Sequence, residues 1–267
     1  MTAPVSSLSS APIADAATLI LLRDGADGIE VLMMIRHDGA DVAGGAMVFP
    51  GGKVDEADRL FCGHNAPGGD LDRFALASRI TAIRESYEEC GILLARQKGT
   101  DSVLSNAALH ALQPRTQSAQ DFSELIERAG LELATDLLVP FAHWITPTNH
   151  VKRFDTQFYL AVDTSDQIAV MDGREAVEVL WTAPDAALRG AEAGARYLLP
   201  PTRLNLEKLA RYDKARDAID AARREPVVTV IPEVIETETG FDVFIPAEAG
   251  YGVSFFQMTG PIPGLKE

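Results

Sequence analysis

Apolar positions along the chain fall into continuous runs, alternations and helical stripes. Residues 17–22 and 29–35 are apolar runs flanking Arg23-Asp24-Gly25-Ala26-Asp27-Gly28, a turn-rich connection that predicts a hairpin. Residues 46–49 predict a short strand, and Pro50-Gly51-Gly52 a sharp turn whose glycines permit close approach of the backbone to a ligand. Residues 59–71, containing Pro67-Gly68-Gly69, read as a loop that ends at Asp70 or Asp72, either of which can cap a following helix. On that helix Leu76, Ile80, Ile83, Tyr87 and Cys90 form one stripe, and Gly91 is a natural residue to end it. Residues 101–139 carry helical spacing in two pieces, with Phe122, Leu125, Ile126 and Ala129 on one face before Gly130. Phe154, Thr156, Phe158, Leu160 and Val162 alternate with more polar residues as a strand does, and 177–181 predicts another strand. Behind Pro200 and Pro201, residues 202–224 predict one long helix with Leu206, Leu209, Ala210, Ile219 and Ala222 toward the core, ended by Glu225 and Pro226. The tail holds two strand-like runs, 227–231 and 241–245, and a Gly/Pro-rich end; it adds a strand, crosses to a partner or lies loose. Strands interleaved with helices define an α/β protein.

Composition narrows the classes. At 267 residues and 46% hydrophobic, the chain can bury a sizeable core and suits one elaborated domain. No run approaches the ~18 apolar residues of a membrane helix, so no membrane partner is expected. Residues 1–12 are Ser/Ala/Pro-rich without a basic n-region, which reads as a loose tail, and the expected location is cytoplasmic. Only Cys62 and Cys90 are present, without metal-like spacing, so neither a disulfide framework nor a zinc site is expected. A formal net charge of −15 disfavours nucleic acid, although a small anion could still bind through metal ions and a few local cations.

The polar side of the helix carries the candidate chemistry. Glu85, Glu88 and Glu89 project opposite the apolar stripe, in the last turns, where the helix dipole is already negative and Glu85 and Glu89 repel at i,i+4. One reading is a solvated acidic face with Arg84 paired to Glu88, worth a few tenths of a kcal/mol. The other is a divalent cation site, because hard cations such as Mg²⁺ take oxygen ligands and turn the crowding into attraction.

These residues resemble the Nudix hydrolase signature, G-x5-E-x7-R-E-U-x-E-E-x-G-U with U a bulky aliphatic. Arg84, Glu85, Glu88, Glu89, Gly91 and Ile92 match its second half in order and spacing; Ser86 departs at the first U. Gly52 to Asp58 resembles the first half, with Asp where Glu is usual, and 25 residues stand between Asp58 and Arg84 instead of seven. An interrupted signature is similar to the peroxisomal coenzyme A diphosphatases and their bacterial relatives, as are Phe141 to Pro147, Arg153-Phe154-Asp155-Thr156 and Pro200-Pro201-Thr202-Arg203. The resemblance implies an α/β/α sandwich with a mixed sheet. It divides the chain into the tail at 1–12, a Nudix domain at 13–225 with its signature split over 52–92 and a helical insert at about 101–139, and an extension at 226–267. The insert is expected to overhang the active site.

The resemblance also implies roles. Nudix enzymes hydrolyse a nucleoside diphosphate linked to another moiety, so the expected partner is a small nucleoside-diphosphate substrate. Glu85, Glu88 and Glu89 would ligate Mg²⁺ or Mn²⁺, with Gly51 adding a backbone carbonyl, and Arg84 would orient a carboxylate without touching substrate. Glu85 is the candidate base on the helix and Glu175 the candidate outside it. Arg36, Lys53, Lys152 and Arg153 are the cations assigned to substrate, with Trp144 or Phe154 available to stack on a base. Relatives acting on coenzyme A carry a second Arg five residues after the first, where this chain has Asp41, an anion that would repel a phosphate. Three functions therefore stay open: hydrolysis of coenzyme A or acyl-coenzyme A; hydrolysis of NADH, ADP-ribose or a nucleotide sugar; and a Nudix-fold binding or regulatory protein. A homodimer is compatible with all three.

Overall fold

A computed structural model of the protein describes residues 12–37, 39, 44–61, 71–112, 115–148 and 150–259. Asp41 and Cys62 lie outside the described residues. The first apolar run belongs to strand β1 (Ile13–Gly25), which turns through Ala26-Asp27 into the antiparallel β2 (Gly28–Arg36). The two strands pair only near the turn, through Leu22 to Gly25, and then diverge. The wedge between them is filled by one short stretch of chain, β3 (Met47–Val48) on β2 and β4 (Gly51–Lys53) on β1.

The helix α1 (Glu56–Phe61) corrects the reading of 59–71 as loop throughout: its last residue, Phe61, is buried in the core, and that burial outweighs the loop-like composition beyond it. Asp72 caps α2 (Arg73–Cys90) by accepting a hydrogen bond from the Ala75 backbone N–H at 2.8 Å. Gly91, at φ 74°, closes the helix in the left-handed conformation that favours glycine. All five stripe residues, Leu76, Ile80, Ile83, Tyr87 and Cys90, are buried against the sheet.

The 101–139 segment follows β5 (Ala95–Gln97) and forms α3 (Asn106–His110) and α4 (Ala119–Arg128), then β6 (Leu131–Leu133), which pairs with β5. Next come β7 (Val139–Ile145), β8 (Arg153–Val162) and β9 (Ala176–Thr182). β8 lies parallel to β1 along ten residue pairs, β7 adds antiparallel to β8, and β9 pairs with β2.

After α5 (Pro184–Glu192), the single long helix expected over 202–224 is two: α6 (Pro200–Leu209) and α7 (Ala215–Arg224). Nothing in the local sequence breaks it. The Asp24 carboxylate from the hairpin accepts the Ala215 N–H at 2.8 Å, and Arg211 donates to the carbonyls of Gly250 and Tyr251, so tertiary partners satisfy a new helix start. The tail adds β10 (Thr229–Val230) beside β7 and then a separate meander of β11 (Glu233–Thr237), β12 (Gly240–Phe244) and β13 (Phe255–Thr259).

The mixed sheet is covered on both faces, which explains runs that are apolar throughout. Leu19, Leu21, Leu32 and Met34 meet α2 and α4; Ile20, Leu22, Val31, Met33 and Ile35 pack on the other face with residues of α5, α6 and α7. The result is the expected α/β/α sandwich, with β4 packed against α2 and bonded to Glu89 near the end of that helix. Among the described residues no helix is long and apolar enough to cross a membrane.

Candidate active site

Arg84 is the hub. It is 5% exposed; its Nε and Nη2 donate to Asp58, Nη2 also to the Lys53 carbonyl, and Nη1 lies 2.8 Å from Glu85 and 2.9 Å from Glu88. Burial alone would lower its pKa, but the hydrogen bond to Asp58 and the charges of Glu85, Asp58 and Glu88 raise it, so the guanidinium is a fixed cation. Asp58 is fully buried and also accepts from Thr81 Oγ1 at 2.7 Å and from its own loop at the Asp55 N–H. The shorter Asp at this motif position therefore clamps the loop to the helix through Arg84. Sequence reasoning placed Asp58 in the motif and left it out of the site.

Close packing requires glycine at both Gly51 and Gly52. Both sit in β4 and have no positive φ. A Cβ at Gly51 would lie 2.6 Å from the Ala17 carbonyl oxygen, and one at Gly52 2.2 Å from Glu85 Oε1. The glycines admit the protein's own strand and carboxylate, and both also line the cavity beside them. Gly51 contributes its N–H, which donates to Glu89 Oε2 at 2.9 Å.

Burial sets the electrostatics. Glu89 is 3% exposed, and its Oε1 has no hydrogen-bond partner, the nearest cation being Arg36 Nη1 at 4.0 Å. Desolvation and the neighbouring Glu85 push its pKa well above the usual carboxylate range, against the Gly51 hydrogen bond and Arg36. Glu85 is pushed up to about 7, by desolvation first, with Arg84 opposing and Glu88 assisting. Glu88 is also raised by desolvation, although Arg84 and a 3.2 Å hydrogen bond from Thr116 Oγ1 lower it. This is not a solvated acidic face.

Arg84, Glu85, Glu88, Lys53, Gly51 and Glu175 line one cavity of about 730 Å³. Its outer rim comes from His37, the Gln117-Ser118-Ala119 start of α4, and Arg174, which donates to Gln117. The insert thus reaches over the carboxylates, and the signal for Thr116 and Gln117 was no stronger than its position in the chain. Glu175, 61% exposed, stands 3.6 Å from Arg36, which links it to Glu89. Lys152 and Arg153 are not brought to the carboxylates. Lys152 lines a second cavity, and Arg153 Nε donates to the Thr146 carbonyl. Trp144 is core, its Nε1 donating to Tyr251, while Phe154 is half-buried against the second cavity.

A sequence profile described as the NUDT19 Nudix domain matches residues 60–209, more than half of the chain. The chain belongs to the NUDT19 Nudix family. It is 31% identical over 187 residues to nudix hydrolase 7 of Caenorhabditis elegans, covering 70% of this chain and 57% of that protein. It is 29% identical to the acyl-coenzyme A diphosphatase NUDT19 of Gallus gallus over 261 residues, 75% of this chain and 69% of the other. The chain thus spans between about half and two thirds of the length of these relatives. The crystal structure of a Nudix hydrolase from Alicyclobacillus acidocaldarius superposes with a TM-score of 0.67 at 29% identity, covering 79% of this chain and 97% of that one.

The Nudix carboxylates fit a divalent cation. Among the described residues no three acidic, His or Cys side chains already converge on one point, because the Arg84 guanidinium stands between Glu85 and Glu88. The donors nevertheless suit a hard ion: four carboxylates, those of Asp58, Glu85, Glu88 and Glu89, stand against two guanidiniums, those of Arg84 and Arg36, and one buried carboxylate oxygen has no partner.

Proposed function

We propose that the protein is a Mg²⁺- or Mn²⁺-dependent hydrolase that cleaves the diphosphate linkage of a nucleoside-diphosphate derivative, with coenzyme A or an acyl-coenzyme A as substrate. The observation that carries this reading is the buried, unpartnered Oε1 of Glu89 within a carboxylate cluster that opens on a cavity. Relatives named acyl-coenzyme A diphosphatases supply the substrate class.

Glu85, Glu88 and Glu89 would hold the ion, which when bound polarises phosphoryl oxygens and lowers the pKa of water. The chain's own groups do the rest. Arg84, held by Asp58, fixes the rotamers of Glu85 and Glu88 and does not contact substrate. Lys53, exposed at the cavity edge, neutralises a phosphate, and Arg36 holds Glu89 and Glu175 in place. With Glu85 serving as a ligand, Glu175, a largely exposed carboxylate lining the cavity, is the group assigned to take the proton from the attacking water.

The test is release of 3′,5′-ADP and phosphopantetheine from coenzyme A, measured with Mg²⁺, with Mn²⁺ and after chelation. Glu175→Gln should lower kcat by 10²-fold or more with KM little changed. Undiminished turnover in excess chelator would overturn the metal-dependent reading.

A further inference from the structure

A second cavity of about 650 Å³ adjoins the first, and both are lined by Gly51, Gly52 and Lys53. Its character is different: aliphatic Val48, Ile145 and Leu199 and aromatic Phe49 and Phe158 give it a largely apolar wall, with Arg36 and Lys152 also lining it. The outer wall comes from the C-terminal meander, through Pro232, Val234, Val243 and Met258. All of these lie beyond the 60–209 stretch that matches the family profile.

Strand register explains why they converge. Val234 pairs with Val243, Val243 pairs with Phe256, and Met258 is two residues along from Phe256. Directly opposed residues share a face, as do residues two apart, so Val234, Val243, Phe256 and Met258 form one face of the meander. That face is turned inward, since Val243 is 2% exposed and Phe256 packs against the main core, while Ile235, Phe244 and Phe255 on the opposite face are exposed. The meander is anchored there: Tyr251 accepts the Trp144 indole N–H and donates to Asn205, both at 2.8 Å.

We propose that this chamber is a specificity subsite for an aliphatic chain on the substrate, and that Val234 and Met258 on the meander set how much chain it accepts. The proposal rests on the diphosphate-hydrolase reading, because a chain reaches the chamber only when the diphosphate lies over Glu85 and Glu89 and the molecule continues past Gly52 and Lys53. Its size is in the range of sites that enclose small ligands, and the apolar residues that the meander adds to its wall favour burial of an apolar group there. Lys53 stands at the junction, its Nζ 5.9 Å from the centre of the Phe154 ring.

The experiment compares wild type, Val234→Phe and Met258→Phe, each checked by thermal melting for an intact fold. Each added ring narrows the chamber, so KM for dodecanoyl-coenzyme A should rise about tenfold. The KM for unacylated coenzyme A should change less than about twofold, with the Mg²⁺ requirement unaltered. Calorimetric titration with decyl phosphate and methyl phosphate gives a readout without turnover. Decyl phosphate should bind wild type saturably with a negative heat-capacity change, and both variants should bind it about tenfold more weakly. If wild type hydrolyses no coenzyme A derivative yet binds decyl phosphate and the variants do not, the hydrolase reading fails and the subsite stands. Equal effects on acylated and unacylated substrates, or no saturable decyl phosphate binding, would overturn the subsite.

Discussion

Neutralising Glu85 should make the metal-free protein more stable and less active at once, and pH should switch the first effect on. Glu85 has a side chain 15% exposed, and its pKa rises from about 4.5 to about 7 because burial disfavours the anion more than Arg84 favours it. A carboxyl group whose folded pKa is raised binds its proton more tightly when folded. Relative to a permanently neutral side chain, the ionisable one therefore loses stability as pH rises from about 4.5 through 7. The full interval corresponds to about 3 kcal/mol, a ceiling because Glu88 and Glu89 are also raised and relax when one charge is removed. At roughly 2–4 °C per kcal/mol for a domain of this size, Glu85→Gln should melt up to about 10 °C higher than wild type at pH 8 in chelator. At pH 4.5 the two should melt together. Adding Mg²⁺ at pH 8 should raise wild type more than the variant, and hydrolysis by the variant should fall by orders of magnitude. The assay is a set of melts at both pH values, with chelator and with Mg²⁺, beside a product-release assay. A variant no more stable than wild type at pH 8 in chelator, or equally advantaged at pH 4.5, would refute the burial argument.

Gly52→Ala should reduce turnover at least tenfold, since its Cβ would lie 2.2 Å from Glu85 Oε1 and must displace that carboxylate; unchanged kcat would show that Glu85 can move freely. Asp58→Ala should cost about 3–5 kcal/mol, because it leaves a buried guanidinium without its main partner, and chemical denaturation measures this directly. Ser86 is buried with an unpartnered hydroxyl where the Nudix signature has an aliphatic residue, so Ser86→Ala should raise stability by about 1 kcal/mol without altering kcat. A lower melting temperature in that variant would mean that the hydroxyl is satisfied.

Patterns that depend on neighbours in sequence were readable from the chain. The two-faced apolar runs of β1 and β2, the stripe on α2 and the alternation in β8 each follow from a local period, and each forms as expected. What failed depends on partners far away in the chain. Residues 210–214 look helical, and the break there is explained by distant partners: Asp24, 191 residues before Ala215, and the Gly250 and Tyr251 carbonyls that Arg211 reaches. Phe61 sits at the edge of a loop-like stretch, and its burial depends on a core assembled from elsewhere. The acidic helix face was visible as a motif, but its burial was not, because Thr116 and β4 cover it from other parts of the chain. Gly51 and Gly52 were readable as a place of close backbone approach, but that Thr18 and Glu85 are the groups approached depends on distant parts of the chain.

The wedge between β1 and β2 bears on how such a protein can change over time. Because β4 is hydrogen-bonded into the sheet on one side and to Glu89 on the other, the strand beside the carboxylate cluster is fixed by the same bonds that hold the domain together. The two walls have a different origin: residues 116–119 come from a segment between β5 and β6, and Val234 to Met258 from sequence after the last helix. On the proposed function, chemistry and selectivity would be carried by separable stretches of the chain, so that a lineage could lengthen, shorten or exchange either wall while the carboxylate floor stays as it is.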